Sequence, residues 1–142
     1  MIYIDTSSLL KLVITDRFST FVELAIASEP VVIVSSLGEL ETRVQLRGLA
    51  KGGIIRTSRI QRIGEKLALN LKSAPFVIRS LSGDVFATAL IQHEIAKSHC
   101  RSLDRLHLAA MEELRISRLM THDARQAEAA RELGYEVLSP GL

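Results

Sequence analysis

The chain has 142 residues, of which 47% are apolar and 24% charged, and its formal net charge is +2. This length suits one core, so we expect a single domain over residues 1–142, and the apolar content excludes a disordered chain. No apolar run approaches the roughly 20 residues of a membrane span, and Asp5 interrupts the stretch that a secretory signal would need, so we expect a cytoplasmic protein. The single cysteine, Cys100, excludes an internal disulfide and a Cys/His metal cluster, which leaves oxygen ligands for any metal.

Short β-branched runs alternate with longer segments of helical period along the chain. The runs predict strands at residues 2–5, 31–34, 76–78, 118–121 and 136–138. The segments between them predict helices at residues 8–14, 20–27, 37–50, 57–71, 84–97, 103–114 and 124–133. This alternation predicts an α/β fold with a central parallel sheet of about five strands flanked by helices.

Two aspartates come directly after predicted strands, Asp5 after the first and Asp123 after the fourth. Ligands of open parallel sheets bind beyond the carboxyl ends of the strands, so both positions suit chemistry. Each aspartate also has a purely structural explanation. Asp5 can cap the helix that follows it, and Asp123 can form a capping box with Gln126. Thr6 and Ser7 can hold a water or a substrate phosphate, although hydroxyls at such positions more often cap a helix.

Glu41 lies on the third predicted helix, two residues after Glu39. Its neighbours at helical spacing predict an inward-facing position, because they are Leu37, Val44 and Gly48. Glu39 has polar neighbours at the same spacing, which predicts a solvated face. We therefore include Glu41 in the candidate site and leave Glu39 out.

Asp104 lies in the first turn of its predicted helix, where the helix dipole alone would favour an acid. The structural explanations of the single acids do not account for all of them lying at one end of the sheet. Clustered carboxylates repel one another unless they share cations or protons, and hard divalent ions bound through oxygen relieve that repulsion. We therefore predict phosphodiester hydrolysis with Mg²⁺ or Mn²⁺ held by four residues: Asp5, Glu41, Asp104 and Asp123.

Basic residues are concentrated between Arg43 and Lys72, where eight of the 18 occur against one acid, Glu65. Their spacing by three and four places them in two helical stripes, which consist of Arg43, Arg47 and Lys51, and of Arg59, Arg62 and Lys66. Either stripe alone would be explained by a solvated face. Beside an acidic metal site, we predict that they hold the phosphates that flank the scissile phosphate of a nucleic acid.

Four segments resemble the motif regions of VapC-type PIN domains. They are residues 3–7 (YIDTS), 35–37 leading to Glu41, 102–109 (SLDRLHLA) and 121–125 (THDAR), and the tail 129–141 also fits. The resemblance implies the PIN fold, metal-dependent endonucleolytic cleavage of RNA, a homodimer and a VapB-like antitoxin as partner. We include Thr6, Ser7 and Thr121 as supporting site residues. Arg105 departs from the pattern, because the family commonly has a small residue beside its third acid.

Two other functions remain open for the same residues. A PIN nuclease that processes RNA without an antitoxin would have an identical site, and only a neighbouring antitoxin gene would distinguish the two. A non-catalytic RNA- or protein-binding module would keep the fold, but it would gain nothing from four mutually repelling carboxylates.

Overall fold

A computed structural model describes residues 1–142. Its strands are β1 (Ile2–Ile4), β2 (Val32–Ser35), β3 (Phe76–Arg79), β4 (Arg118–Met120) and β5 (Glu136–Leu138). Its helices are α1 (Thr6–Val13), α2 (Ser19–Ala27), α3 (Ser36–Lys51), α4 (Thr57–Asn70), α5 (Val85–Ile95), α6 (Ser102–Glu113) and α7 (Ala124–Glu132). All strands pair in parallel, in the order β3-β2-β1-β4-β5. The predicted α/β fold with a five-stranded parallel sheet is therefore confirmed. Both ends of every predicted strand and helix lie within two residues of the observed ends.

Helices cover both faces of the sheet, which explains why β1 is apolar and buried along its whole length. In β1, Ile2 and Ile4 point into a core formed with α1, α2 and α4, while Tyr3 points into a core formed with α5, α6 and α7. Alternate residues of a strand point to opposite faces, so one short strand contributes to both cores. None of the seven helices combines the length and the hydropathy that a membrane-spanning segment requires.

The sheet has its switch point between the central strands β1 and β4. The chain leaves β1 into α1 on one face and leaves β4 into α7 on the other. Because the two connections part, a crevice opens beyond the carboxyl ends of these strands. Asp5 and Asp123 follow the two strands, and the backbone N–H of Asp5 donates to the carbonyl of Met120 at 3.1 Å. The topology therefore places both aspartates at one crevice.

Candidate active site

The four predicted acids line one cavity of about 650 Å³ at this crevice, together with Thr6 and Ser7. Asp5 and Asp123 come from the ends of the central strands, while Glu41 and Asp104 come from α3 and α6. The third supporting residue, Thr121, lies behind the cavity and contacts Asp5. The structure thus brings together residues that lie up to 118 positions apart in the sequence.

Asp5 is a buried carboxylate, 2% exposed, with hydrogen bonds to both oxygens. Its Oδ1 accepts from the backbone N–H of Ser8 at 2.9 Å, which caps α1, and its Oδ2 accepts from Thr121 Oγ1 at 2.6 Å. The Ser7 hydroxyl donates to both carboxylate oxygens, at 2.8 and 2.9 Å. Burial raises the pKa of Asp5 despite these bonds. Asp5 takes part in no ion pair, so its ionised form lacks a cation.

Glu41 is held through one oxygen. Its Oε2 accepts from Thr6 Oγ1 at 2.8 Å and from His107 Nε2 at 2.6 Å. Burial raises the pKa of Glu41, but the hydrogen bond and electrostatic attraction of His107 outweigh it, together with the hydrogen bond from Thr6 and the charge of Arg101, and they hold that pKa below its ordinary value. Glu41 is therefore a fixed, ionised carboxylate whose Oε1 has no hydrogen-bond donor in the protein.

His107 is 1% exposed and connects Glu41 to the centre of the sheet. Its Nδ1 lies 2.6 Å from the hydroxyl of Tyr3, which lies 2.6 Å from Ser35 Oγ, and that oxygen accepts from the N–H of Gly38 at 3.1 Å. An ionised Glu41 only accepts, so Nε2 of His107 donates to it. This network orients His107 for one task, which is to donate to Glu41.

Arg101 bridges the other two acids. Its Nε donates to Asp104 Oδ2 at 2.8 Å and its Nη2 to Asp123 Oδ2 at 2.6 Å. The Arg101 side chain is 61% exposed, so leaving this position costs little. The sequence analysis missed Arg101, although it precedes Asp104 by one helical turn, and it did not include His107 among the site residues.

Asp123 caps α7, because its Oδ1 accepts from the backbone N–H groups of Arg125 and Gln126 at 2.9 and 3.1 Å. Only half of the capping box with Gln126 forms, because the Gln126 side chain does not return to the backbone N–H of Asp123. The backbone N–H of Asp123 donates to Thr121 Oγ1 at 3.0 Å, while the Gln126 side chain turns to Thr121 and to the carbonyl of Asp104. Asp123 therefore has a structural role through Oδ1, while its Oδ2 pairs with Arg101 in the cavity.

The predicted inward face of α3 is also wrong in part. Val44 is 61% exposed, and the buried positions of α3 are instead Gly38, Thr42 and Leu46. Glu41 lines the cavity together with Gln45 and Leu49, which follow it at intervals of four residues. Glu39 lies outside the cavity and pairs with Arg43 at 2.7 Å. The positions of the two glutamates agree with the prediction. The neighbouring residues from which it was made, however, are not the buried residues of α3.

The two basic stripes lie outside this cavity. Arg43 and Arg47 follow Glu41 and Gln45 by two positions, which turns them by about 200° around a helix of 3.6 residues per turn. Arg59 and Arg62 line a separate cavity of about 410 Å³. RNA contact by these stripes stays a prediction. Arg105, which departs from the family pattern, does not line the acidic cavity.

The acidic cavity fits a divalent cation by the chemistry of its donors. No three His, Cys, Asp or Glu side chains converge closely enough to hold a metal as they stand. However, all four carboxylates face one space, Asp5 lacks a cationic partner, and the guanidinium of Arg101 already bridges the other pair of aspartates. Carboxylate oxygens are the ligands of Mg²⁺ and Mn²⁺. A cation joining these acids would therefore displace Arg101.

A family model for the PIN domain matches residues 2–132. No curated protein matches the sequence. Among solved structures, VapC20 of Mycobacterium tuberculosis, described as a sarcin-ricin loop cleaving toxin, has a TM-score of 0.74 at 20% identity, with 99% of this chain and 100% of that chain covered. FitAcB from Neisseria gonorrhoeae has a TM-score of 0.70 at 17% identity, with coverage of 99% and 98%. FitAB bound to an IR36 DNA fragment has a TM-score of 0.71 at 16% identity, with coverage of 97% and 94%. These similarities extend over the whole fold.

Proposed function

The chain belongs to the PIN domain family, and we propose from this premise that it is an endoribonuclease that depends on Mg²⁺ or Mn²⁺. One observation carries the proposal: four carboxylates from four separate elements line one cavity at the switch point of the sheet. A divalent cation bound there would stabilise charge on the scissile phosphate and lower the pKa of an attacking water. Such hydrolysis requires no covalent nucleophile from the protein.

Each acid would contribute to the site in a way that its contacts define. Asp5, held by Thr121 and Ser7, would supply negative charge at the buried end of the cavity. Glu41, fixed through Oε2, would present Oε1. Asp104 and Asp123 would bind the cation in place of Arg101, whose guanidinium would then be free to contact the substrate phosphate in a charge-assisted hydrogen bond.

We further propose that this nuclease is the toxin of a toxin-antitoxin pair, with a VapB-like antitoxin as partner and a homodimer as its assembly. Support comes from the fold shared with VapC20, which is described as a toxin. A second support is that Asp104 and Asp123 accept a guanidinium between them, at 2.8 and 2.6 Å. A basic side chain of an antitoxin would pair with the same oxygens and block metal access. The proposal includes a single catalytic domain over residues 1–142 and a cytoplasmic location.

The test is cleavage of total RNA by the purified chain, with Mg²⁺ or Mn²⁺ and with EDTA, in the presence and absence of the product of the neighbouring gene. We expect metal-dependent cleavage that the neighbouring protein suppresses, and a loss of cleavage in Asp5→Asn. Cleavage that persists in EDTA or in Asp5→Asn would contradict the metal-site assignment. Cleavage without any inhibition by a neighbouring protein would instead indicate an RNA-processing nuclease.

A further inference from the structure

Arg105 carries a charge that the fold leaves without a partner. The residue is 4% exposed, and its Nε, Nη1 and Nη2 atoms have no hydrogen-bond acceptor. It also takes part in no ion pair. An unpaired buried charge is strongly unfavourable, because the guanidinium loses its hydration and gains nothing in exchange. Such a group points to an anion that joins it in the working protein.

Arg105 lies in the wall of a second cavity, between α5 and the start of α6, with a volume of about 660 Å³. This volume falls in the range of small-molecule sites. The polar lining is basic or neutral and contains no acid: besides Arg105 it includes Arg101, His93, His99 and Ser102. Arg105 also lines a smaller cavity of about 140 Å³ together with Lys97 and Glu132, and this cavity has room for only a few waters. The larger cavity is therefore the one that suits an anionic ligand.

The second cavity also has an apolar wall, to which Phe86, Leu90 and Leu106 contribute. Phe86 and Leu90 are 62% and 66% exposed, so a ligand reaches them from solvent. A flat aromatic or apolar surface beside cationic groups suits a nucleotide, whose base stacks while its phosphate pairs with arginine.

This cavity adjoins the catalytic one, because Arg101 and Ser102 line both. The two differ sharply in charge. Acids dominate the catalytic cavity, whereas none lines its neighbour. An RNA strand with its scissile phosphate at the acids and their cation would extend along Arg101 into the basic cavity. This continuity favours RNA over an acidic protein segment as the occupant.

We propose that the Arg105 cavity is a nucleotide subsite, which binds the phosphate and base of the residue flanking the cleaved bond. The proposal rests on the proposed cleavage of RNA. Arg105 and Arg101 bind the flanking phosphate, and Phe86 and Leu90 contact the base. The guanidinium nitrogens of Arg105 lie below the cavity surface, so the side chain rotates outward when the phosphate arrives.

Histidine resonances distinguish the two cavities in one experiment. His93 and His99 line the proposed subsite, while His107 and His122 line the catalytic cavity, and these are all four histidines of the chain. The full chain is titrated with a 2′-O-methyl phosphorothioate pentanucleotide, which resists hydrolysis, with Ca²⁺ in place of Mg²⁺. Carbon-proton NMR spectra of the histidine rings then report which cavity the RNA occupies.

We expect RNA to shift the resonances of both histidine pairs. Arg105→Met should abolish the shifts of His93 and His99 and weaken binding about tenfold, the usual cost of losing one hydrogen-bonded charge pair. Arg131→Met, which removes an exposed arginine of α7 outside both cavities, should bind RNA as the unaltered chain does. Phe86→Ser changes only an exposed side chain, so it tests the base contact without risk to folding and should weaken binding about fivefold or more.

Two results would overturn the subsite while leaving the nuclease proposal intact. They are shifts confined to His107 and His122, and unchanged affinity in both Arg105→Met and Phe86→Ser. If an oligoglutamate peptide shifts His93 and His99 and RNA does not, the cavity takes an acidic protein segment and the proposal is wrong. If RNA shifts none of the four histidines, the proposed RNA-cleaving function fails together with the subsite.

Discussion

Replacing Glu41 and Glu39 separately by glutamine tests the site at the level of single side chains. In the unaltered protein, Thr6 and His107 donate to a carboxylate oxygen of Glu41 at 2.8 and 2.6 Å. In Glu41→Gln the amide oxygen can still accept both hydrogen bonds. A hydrogen bond to a charged group contributes about 1.5–3 kcal/mol and a neutral one about 0.5–1.5 kcal/mol. Weakening two such bonds therefore costs about 2 kcal/mol, and relief of repulsion from Asp5 offsets part of it. The fold should survive with a melting temperature lower by a few degrees.

Activity should respond far more strongly than stability to Glu41→Gln. Loss of one preorganised hydrogen-bond donor at a reaction centre typically lowers the rate about 10²–10³-fold, and we expect loss of a metal-binding carboxylate to lower the rate of RNA cleavage at least as much. The control, Glu39→Gln, breaks only the exposed pair with Arg43, a change of about 0.2–0.5 kcal/mol. Cleavage rates, Mn²⁺ titration by calorimetry and thermal melts compare the two variants. An essential Glu39 with a dispensable Glu41, or unchanged Mn²⁺ affinity in Glu41→Gln, would refute the assignment.

The remaining predictions concern the other acids, the histidine network and the basic stripe. Asp5→Asn and Asp123→Asn should abolish cleavage and Mn²⁺ binding while the melting temperature in EDTA holds or rises, because asparagine also caps helices and carries no charge; a sharp fall in that temperature would contradict this. His107→Gln should retain part of the Mn²⁺ affinity through a side-chain N–H to Glu41, whereas His107→Leu should lose it, and equal affinity in both would show a purely structural role. Replacing Arg43, Arg47 and Lys51 together by glutamine should make RNA binding less dependent on salt, with a slope reduced by the equivalent of up to about three phosphate contacts. An unchanged slope would show that this stripe is only a solvated face.

The tertiary structure decided which α3 residues pack inward, and the apolar pattern misled here for a physical reason. The predicted face contained Val44, but the buried positions of the helix are Gly38, Thr42 and Leu46. Gly38 has no side chain and Thr42 is polar, so an apolar pattern does not mark this face, and Thr42 Oγ1 is satisfied by donating to the carbonyl of Gly38 at 2.7 Å. Neighbouring residues differ by about 100° around a helix, so an error of one position moves a side chain to another face.

The position of the charged side chains also depended on contacts between distant segments. His107 reaches Tyr3 and Glu41 across separations of 104 and 66 residues, which no local pattern records. The charge pattern identified the stripe at Arg43, yet its orientation away from the cavity follows from how α3 rests on the sheet. Arg105 departs from the family pattern beside Asp104, and only the structure shows that it lies in the wall of a separate cavity.

The sequence by itself determined the order of the elements, the parallel sheet and the strand-end positions of Asp5 and Asp123. Periods of 2.0 and 3.6 residues are local properties, and the carboxyl ends of parallel strands must share one edge of a sheet. Only the tertiary structure decided that Arg101 bridges Asp104 and Asp123, that Tyr3 and His107 fix Glu41, and that no acid faces the Arg105 cavity. These contacts form between side chains brought together by packing, and a local sequence pattern does not specify which side chains meet.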